Sequence, residues 1–191
     1  MARPDYDRLY EIAENQAGYF TAQQARAVGF SWERLSSNVK NGKFLRVAHG
    51  IYRLSHFPGS PYEDLFVAWL RTGKDSVISH ESALAIYDLA DVLPSEVNVI
   101  VPRTASRRRT GIRLHTSHLN PGDVTFREGL PLTTIERTMA DVILSGLSYD
   151  EINKAIHEAL QRGLVTREEL ITVARSRGGK VDQIIHKVLE R

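Results

Sequence analysis

An α+β fold in two parts is what the sequence predicts: a small N-terminal module of helices and a hairpin, then a mixed domain of helices around a small β-sheet. Three observations predict it. Gly18 to Leu54 reads as two short helices split by a glycine turn and followed by a tight hairpin. Glu96 to Val101 and Ile112 to Thr116 alternate like strands. Amphipathic helices with capping signals fill the C-terminal third. The boundaries drawn from these patterns are residues 1–57 for the module and 60–191 for the domain, with His56-Phe57-Pro58-Gly59 as a linker.

In the module, Pro4 to Glu14 reads as a helix with proline in its first turn and Leu9, Ile12 and Ala13 turned inward. Thr21 is placed to cap a helix from Ala22 to Val28, whose Ala22, Ala25 and Val28 share one face. Gly29 ends it. Phe30 and Ser31 make the turn, and Ser31 caps a second helix from Trp32 to about Asn41, with Trp32, Leu35 and Val39 as the expected buried stripe. Gly42 is the left-handed stop. Beyond it, Phe44 to Leu54 supplies β-branched, aromatic and aliphatic residues on either side of Ala48-His49-Gly50. Helix, helix and wing in this order is the local signature of a winged helix-turn-helix.

In the domain, Ser60-Pro61-Tyr62-Glu63 has capping-box spacing with proline at the first helical position, and Leu65, Phe66, Trp69 and Leu70 give the helix an apolar face. Ser79 to Leu89 is a second helix. The strand at Glu96–Val101 is stopped by Pro102, and a basic hairpin connection leads to its partner at Ile112–Thr116. Gly122 to Thr133 adds one or two short strands. Thr133-x-x-Glu136, Ser148-x-x-Glu151 and Thr166-x-x-Glu169 each open a helix, and a last helix runs from about Lys180 to Glu190.

With 191 residues, 42% of them hydrophobic, the chain has the material for a substantial core. It has no cysteine, which removes disulfides, thiolate metal sites and a cysteine nucleophile, and suits a reducing compartment. The opening MARPDYDRLYEIAEN has no apolar signal region and no stretch has the length of a membrane span, so the expectation is a soluble cytoplasmic protein. A net charge of +2 is mild, and residues 1–57 hold eight Lys and Arg against five Asp and Glu. Any nucleic-acid surface must therefore come from local clustering.

That clustering lies on the second helix and the hairpin. Arg34, Ser37, Asn38 and Asn41 are the candidate base readers, because Arg forks onto guanine and Asn onto adenine in the major groove. Gln23, Lys40, Lys43, Arg46, His49 and Arg53 are candidates for the backbone or minor groove, with Ser31 at the capped helix start. The alternative is a protein-docking module whose polar residues are ordinary solvated ones. Arg103, Arg107, Arg108, Arg109 and Arg113 form the strongest charge cluster, read either as a second nucleic-acid or partner patch or as a solubilising loop.

Other chemistry finds little support. Ser79-His80-Glu81-Ser82 resembles a triad only in composition, because neighbours on one helix point in different directions; Ser79 capping the helix accounts for it. His115 and His118 lack further metal ligands, and Gly178-Gly179-Lys180 lacks the strand and spacing of a phosphate-binding loop. The expectation is a protein with no catalytic residues, no metal and no cofactor.

The chain resembles the AbiEi family of antitoxins, the regulator half of type IV abortive-infection toxin-antitoxin pairs. The resemblance lies in Ala25 and Gly29 through Asn41-Gly42-Lys43 to His49-Gly50-Ile51-Tyr52, then Ile78-Ser79-His80-Glu81-Ser82-Ala83-Leu84, Val97 to Pro102, Gly129-Leu130-Pro131, and Thr133 to Thr138 with Asp141. It implies a winged helix-turn-helix that binds inverted repeats in its own promoter as an autorepressor, self-associating on DNA. It also implies a C-terminal domain that opposes a nucleotidyltransferase-type toxin encoded next door, in phage defence. Some relatives carry a nuclease-like extension whose clustered acidic residues this chain lacks, so that activity is not carried over. The alternatives are an antitoxin acting mainly by complex formation with its toxin, or an ordinary winged-helix transcription regulator. An enzyme that modifies the toxin by phosphoryl transfer is a further one, for which the sequence supplies no nucleotide or metal ligands.

Overall fold

The structure is a computed structural model that describes residues 3–89, 94–105 and 108–190. The chain is mixed α and β, and by contact it divides into one unit of Met1–Lys74 with Glu128–Leu130 and a second of Asp75–Arg127 with Pro131–Arg191.

The first unit runs α1 (Tyr6–Glu14), β1 (Tyr19–Thr21), α2 (Ala22–Ala27), α3 (Trp32–Lys40), β2 (Phe44–Ala48), β3 (Ile51–Leu54) and α4 (Glu63–Thr72). The helix starts are set by short polar side chains that satisfy amides left free at an N-terminus. Asp5 accepts from the Arg8 amide at 2.9 Å and Ser31 from the Arg34 amide at 3.2 Å. Thr21 and Gln24 bond each other's backbone reciprocally, at 3.1 and 2.8 Å. Gly29 ends α2 with φ of +90°, and a Cβ there would meet the Arg3 carbonyl at 3.0 Å, so both the turn and the close approach of the N-terminal segment require glycine.

The strands form one antiparallel sheet in the order β1-β3-β2, with Arg46 opposite Tyr52, Ala48 opposite Ile51 and an irregularity between them. The core between this sheet and the helices comprises Leu9, Ala13, Phe20, Ala22, Ala25, Phe30, Leu35, Phe44 and Tyr52. Aromatic rings dominate it. Phe44 meets Phe20 edge-on at 5.0 Å and Phe30 at 5.9 Å, and Phe20 stacks on Tyr52 at 5.7 Å.

Helix α4 belongs to this unit. Phe66 stacks on Tyr19 at 5.0 Å, and the Tyr19 hydroxyl donates to Glu63 at 2.9 Å. Burial, followed by that carboxylate, pushes the Tyr19 phenol up to about 12. The boundary expected at residues 57–60 therefore moves to Lys74/Asp75 in the division by contact. The capping box expected at Ser60 is not formed: Ser60 accepts from the Tyr62 amide at 3.1 Å, and α4 starts at Glu63 without a side-chain cap.

The second unit contains β4 (Val77–Ile78), α5 (His80–Ile86), β5 (Val97–Ile100), β6 (Ile112–His115), β7 (Val124–Arg127) and, but for its first residue, β8 (Leu130–Thr133). Four helices follow, α6 (Ile135–Ser145), α7 (Tyr149–Gln161), α8 (Arg167–Arg177) and α9 (Gly179–Leu189). Its sheet runs β6-β5-β4-β8-β7. β5 and β6 pair in parallel, Val97 beside Ile112 and Ile100 beside His115, so the basic segment between them is not the expected hairpin connection. Parallel neighbours need their chain carried back to the starting end, and the 3-10 turn Arg103–Ala105 lies on that return.

The boxes at Ser148/Glu151 and Thr166/Glu169 form as expected. That at Thr133 does not, because Thr133 is buried in β8 with its hydroxyl 2.7 Å from that of Thr138. A salt bridge lies at the heart of this unit. Arg137, 1% exposed, donates from Nε to both Asp141 oxygens at 2.9 and 3.0 Å and from Nη1 to Asp123 and the His118 carbonyl, both at 2.9 Å.

Phe44→Ala, which removes the ring shared by sheet and helices, is expected to cost about 3–5 kcal/mol. Urea unfolding followed by circular dichroism measures it; a cost under about 1 kcal/mol would show that Phe44 is not the hub of this core.

Candidate nucleic-acid interface

Helix α3 buries Leu35, Asn38 and part of Val39, and turns Arg34, Ser37, Lys40 and Asn41 to solvent. Lys43, Arg46 and His49 are exposed along the strand and turn that follow, within the same unit. Arg46 Nη2 lies 3.4 Å from His49 Nδ1, which pairs the two cationic-capable groups near the hairpin tip. A concavity of about 510 Å³ is lined by Tyr6, Ser31, Glu33, Arg34, Ser37, Asn38, Asn41 and Lys43, with the Lys43 ammonium 5.8 Å from the centre of the Tyr6 ring. Gln23 is exposed in the first turn of α2, and Ser31 is half-buried in its capping role.

Two candidate residues are placed differently from the expectation. Asn38, expected to read bases, is 5% exposed: it accepts from the Tyr6 hydroxyl at 3.2 Å and donates to the Arg34 carbonyl at 2.8 Å. With one N–H and the oxygen of its amide engaged and the side chain enclosed, it positions the helix and does not stand on the solvent face. Arg53 is half-buried at the base of the hairpin, its guanidinium 5.8 Å from the centre of the Tyr19 ring, with Nε and Nη1 buried without a hydrogen-bond partner among the described residues. It stands apart from the exposed cations near the hairpin tip.

Trp32 also departs from the expected stripe, being 52% exposed. The Arg26 guanidinium covers its ring, 5.4 Å from the centroid. Sequence reasoning missed Arg26, which lies in the last turn of α2, because its significance arises only once Trp32 is seen to be at the surface.

In the second unit, Arg103 and Arg108 are exposed, Arg109 is half-buried and bridges to Ile112, and Arg113 is exposed on β6; Arg107 lies outside the described residues. Near Arg113 is a stacked imidazole pair, His80 on His115 at 3.7 Å between centroids. Ser79 Oγ lies 2.9 Å from His80 Nδ1 and does not cap α5, so the expectation of a capping serine is corrected here. His115 Nε2 lies 2.9 Å from Asn98 Oδ1. Burial, then His115, Arg137 and Arg113, pushes the His80 imidazole down to about 3; burial and Arg113 lower His115 as well, against the pull of Glu81.

Residues 7–55, which span α1 to β3 in full apart from the first residue of α1, match a family model described as "Transcriptional regulator, AbiEi antitoxin". The crystal structure of the RV2827C protein from Mycobacterium tuberculosis has a similar fold, with a TM-score of 0.59 at 13% identity over 100% of this chain and 78% of that one. No curated protein matches the chain in sequence. Among the described residues, no helix is long and apolar enough to cross a membrane.

Asn38→Ala removes the side-chain bonds to the Tyr6 hydroxyl and the Arg34 carbonyl, with an expected cost of about 1 kcal/mol in urea unfolding; no change would mean that water replaces the amide. A second expectation concerns pH. The unfolded chain takes up a proton at His80 near its ordinary 6.5 while the folded chain refuses it down to about 3. Stability from this group is therefore whole above pH 6.5 and is lost as pH falls, by up to about 1.4 kcal/mol per unit. Urea midpoints from about pH 8 to about pH 5 should fall for the native chain and fall less for His80→Asn, a residue that tolerates the left-handed backbone at this position.

Proposed function

We propose that the first unit is a winged helix-turn-helix that binds duplex DNA, with α3 as the helix in the major groove and the β2–β3 hairpin as the wing, and that the protein represses the operon encoding it. The observation that carries this reading is that Arg34, Ser37, Asn41 and Lys43 line one open concavity, with Lys40, Arg46 and His49 exposed on the same helix and hairpin, all inside the segment that matches a transcriptional-regulator family. A helix of this width fits the major groove, Arg34 has the fork that pairs with guanine, and the hairpin cations have the reach and charge for phosphate oxygens. Repression is by occupancy: two copies on neighbouring half-sites exclude polymerase, and no bond is made or broken.

The family description also supports an antitoxin role; the toxin we propose is a nucleotidyltransferase-type protein encoded beside it, with the second unit as the part that opposes it. The exposed arginines of that unit, Arg103, Arg108 and Arg113, suit an acidic partner or a nucleic acid. Co-expression with that neighbour and gel filtration at high salt tests the pairing, because association bridged by DNA dissolves under screening while a packed protein interface survives.

For DNA, fluorescence anisotropy with a duplex from upstream of the coding sequence and a scrambled duplex separates the roles. Arg34→Ala is expected to lose about 1–3 kcal/mol of discrimination between the two. Lys43→Ala and Arg46→Ala are expected to weaken both duplexes alike and to lower the slope of log affinity against log salt by about 1 each. Binding to both duplexes that is unaffected by all three changes would remove α3 and the hairpin as the interface.

A further inference from the structure

Resting on the reading of the first unit as a DNA-binding module, we propose that Arg26 is a phosphate anchor of the complex and that the exposed ring of Trp32 is the platform that holds it. Neither residue belongs to the face that the sequence marks for DNA. Both lie at the joint between α2 and α3, Arg26 in the last turn of the first helix and Trp32 as the opening residue of the second.

The surface position of Trp32 calls for a reason. A tryptophan left 52% exposed in a small unit gives up burial that Phe30, two residues earlier, achieves at 2% exposure. One face of its ring is covered by the Arg26 guanidinium at 5.4 Å from the centroid. A guanidinium held over an aromatic face is restrained by the cation–π attraction, but its N–H groups stay free to donate to another partner. The side chain is exposed, and among the described residues no carboxylate pairs with it. The cation–π contact thus restrains rotamer freedom that an unsupported surface arginine must surrender on binding, while its donors make no hydrogen bond or ion pair among the described residues.

The ligand that fits is a phosphate of the DNA backbone. A planar fork of donors matches two phosphate oxygens, and the start of α3, capped by Ser31, adds the positive end of a helix alongside. Arg34, Lys40 and Lys43 stand on the same unit with the same sign of charge, which makes a polyanion the complementary partner. Glu33, exposed in the first turn of α3, and Asp5, whose amide bonds the Val28 carbonyl at the end of α2, are opposing charges near this joint, and they make the anchor weaker than it would be alone.

Anisotropy titrations of the full chain with the upstream duplex, across salt concentrations, test this. Arg26→Ala is expected to weaken binding about tenfold and to lower the salt slope by about 0.9, one phosphate contact. Arg26→Lys keeps the charge and so most of the slope, but loses the fork and part of the affinity. Trp32→Ala is expected to cost about threefold, Trp32→Phe close to nothing, and Trp32→Ala added to Arg26→Ala nothing further.

An unchanged salt slope in Arg26→Ala overturns the anchor. A Trp32→Ala loss that persists undiminished without Arg26 overturns the platform and assigns the indole its own contact. Thermal midpoints for every variant guard against loss of fold. If the native chain binds no duplex at low salt, the reading of the unit falls and takes this inference with it; if it binds and Arg26→Ala is silent, only the inference falls.

Discussion

Where α3 gives way to the hairpin, Lys43 and Phe44 hold the two in a fixed relation. The Lys43 amide donates to the Asn38 carbonyl at 2.9 Å, and the Lys43 carbonyl accepts from both the amide and the hydroxyl of Ser55, at 3.1 and 2.9 Å. One residue on, the Phe44 ring enters the core between Phe20 and Phe30. The backbone bonds set how the chain leaves the helix, and the ring sets the depth at which β2 lies. Neither could do so alone, since a hydrogen bond of about 1 kcal/mol tolerates rotation and an apolar ring tolerates sliding. Together they fix the angle between the solvent side of α3 and the cations of the hairpin, on which any simultaneous contact with one duplex depends.

The sequence was most legible where structure is decided within a few residues. The caps at Thr21 and Ser31, the boxes at Ser148 and Thr166 and the left-handed stop at Gly42 need only a short side chain or a missing Cβ, and they are found where the spacing puts them. It was least legible where a local signal met a longer-range claim on the same atom. The Thr133 hydroxyl is taken by Thr138 in the interior, and Ser79 Oγ by His80, so neither caps a helix. Strand direction fails for the same reason. Alternation marks Val97–Ile100 and Ile112–His115 as partners, but their parallel pairing is set by how the rest of the sheet is laid down.

The second unit shows why its motif residues say more about folding than about chemistry. A fully buried arginine is expensive unless its donors are met, and Arg137 meets Asp141, Asp123 and a carbonyl, leaving Nη2 without a partner among the described residues. The stacked histidines, with Ser79 and Asn98 against their ring nitrogens, are a second polar group enclosed by the same fold. Ser79 to Ala83 and Thr133 to Asp141 are therefore mostly interior. Replacing either end of such a pair leaves an uncompensated partner in a dry setting, which restricts these positions whatever surface the unit presents.

The divergence at α3 has a geometric origin. Trp32, Leu35 and Val39 and the observed Leu35, Asn38 and Val39 are both sound helical stripes, and their centres differ by about 40° of rotation at 100° per residue. Hydrophobicity alone selects the first, because it prefers a tryptophan inside to an asparagine. The second wins because Tyr6 reaches over from α1 to satisfy the Asn38 amide, turning a polar residue into one that can be enclosed. That small rotation moves the centre of the solvent face from near Ser37 to near Glu33, with Ser37 and Lys40 on either side, removes Asn38 from it and brings Trp32 to its margin, where Arg26 covers the ring. The exposed tryptophan and the buried asparagine are thus two consequences of one choice of helix phase, which the Asn38 hydrogen bonds to Tyr6 and to the Arg34 carbonyl make compatible with burial.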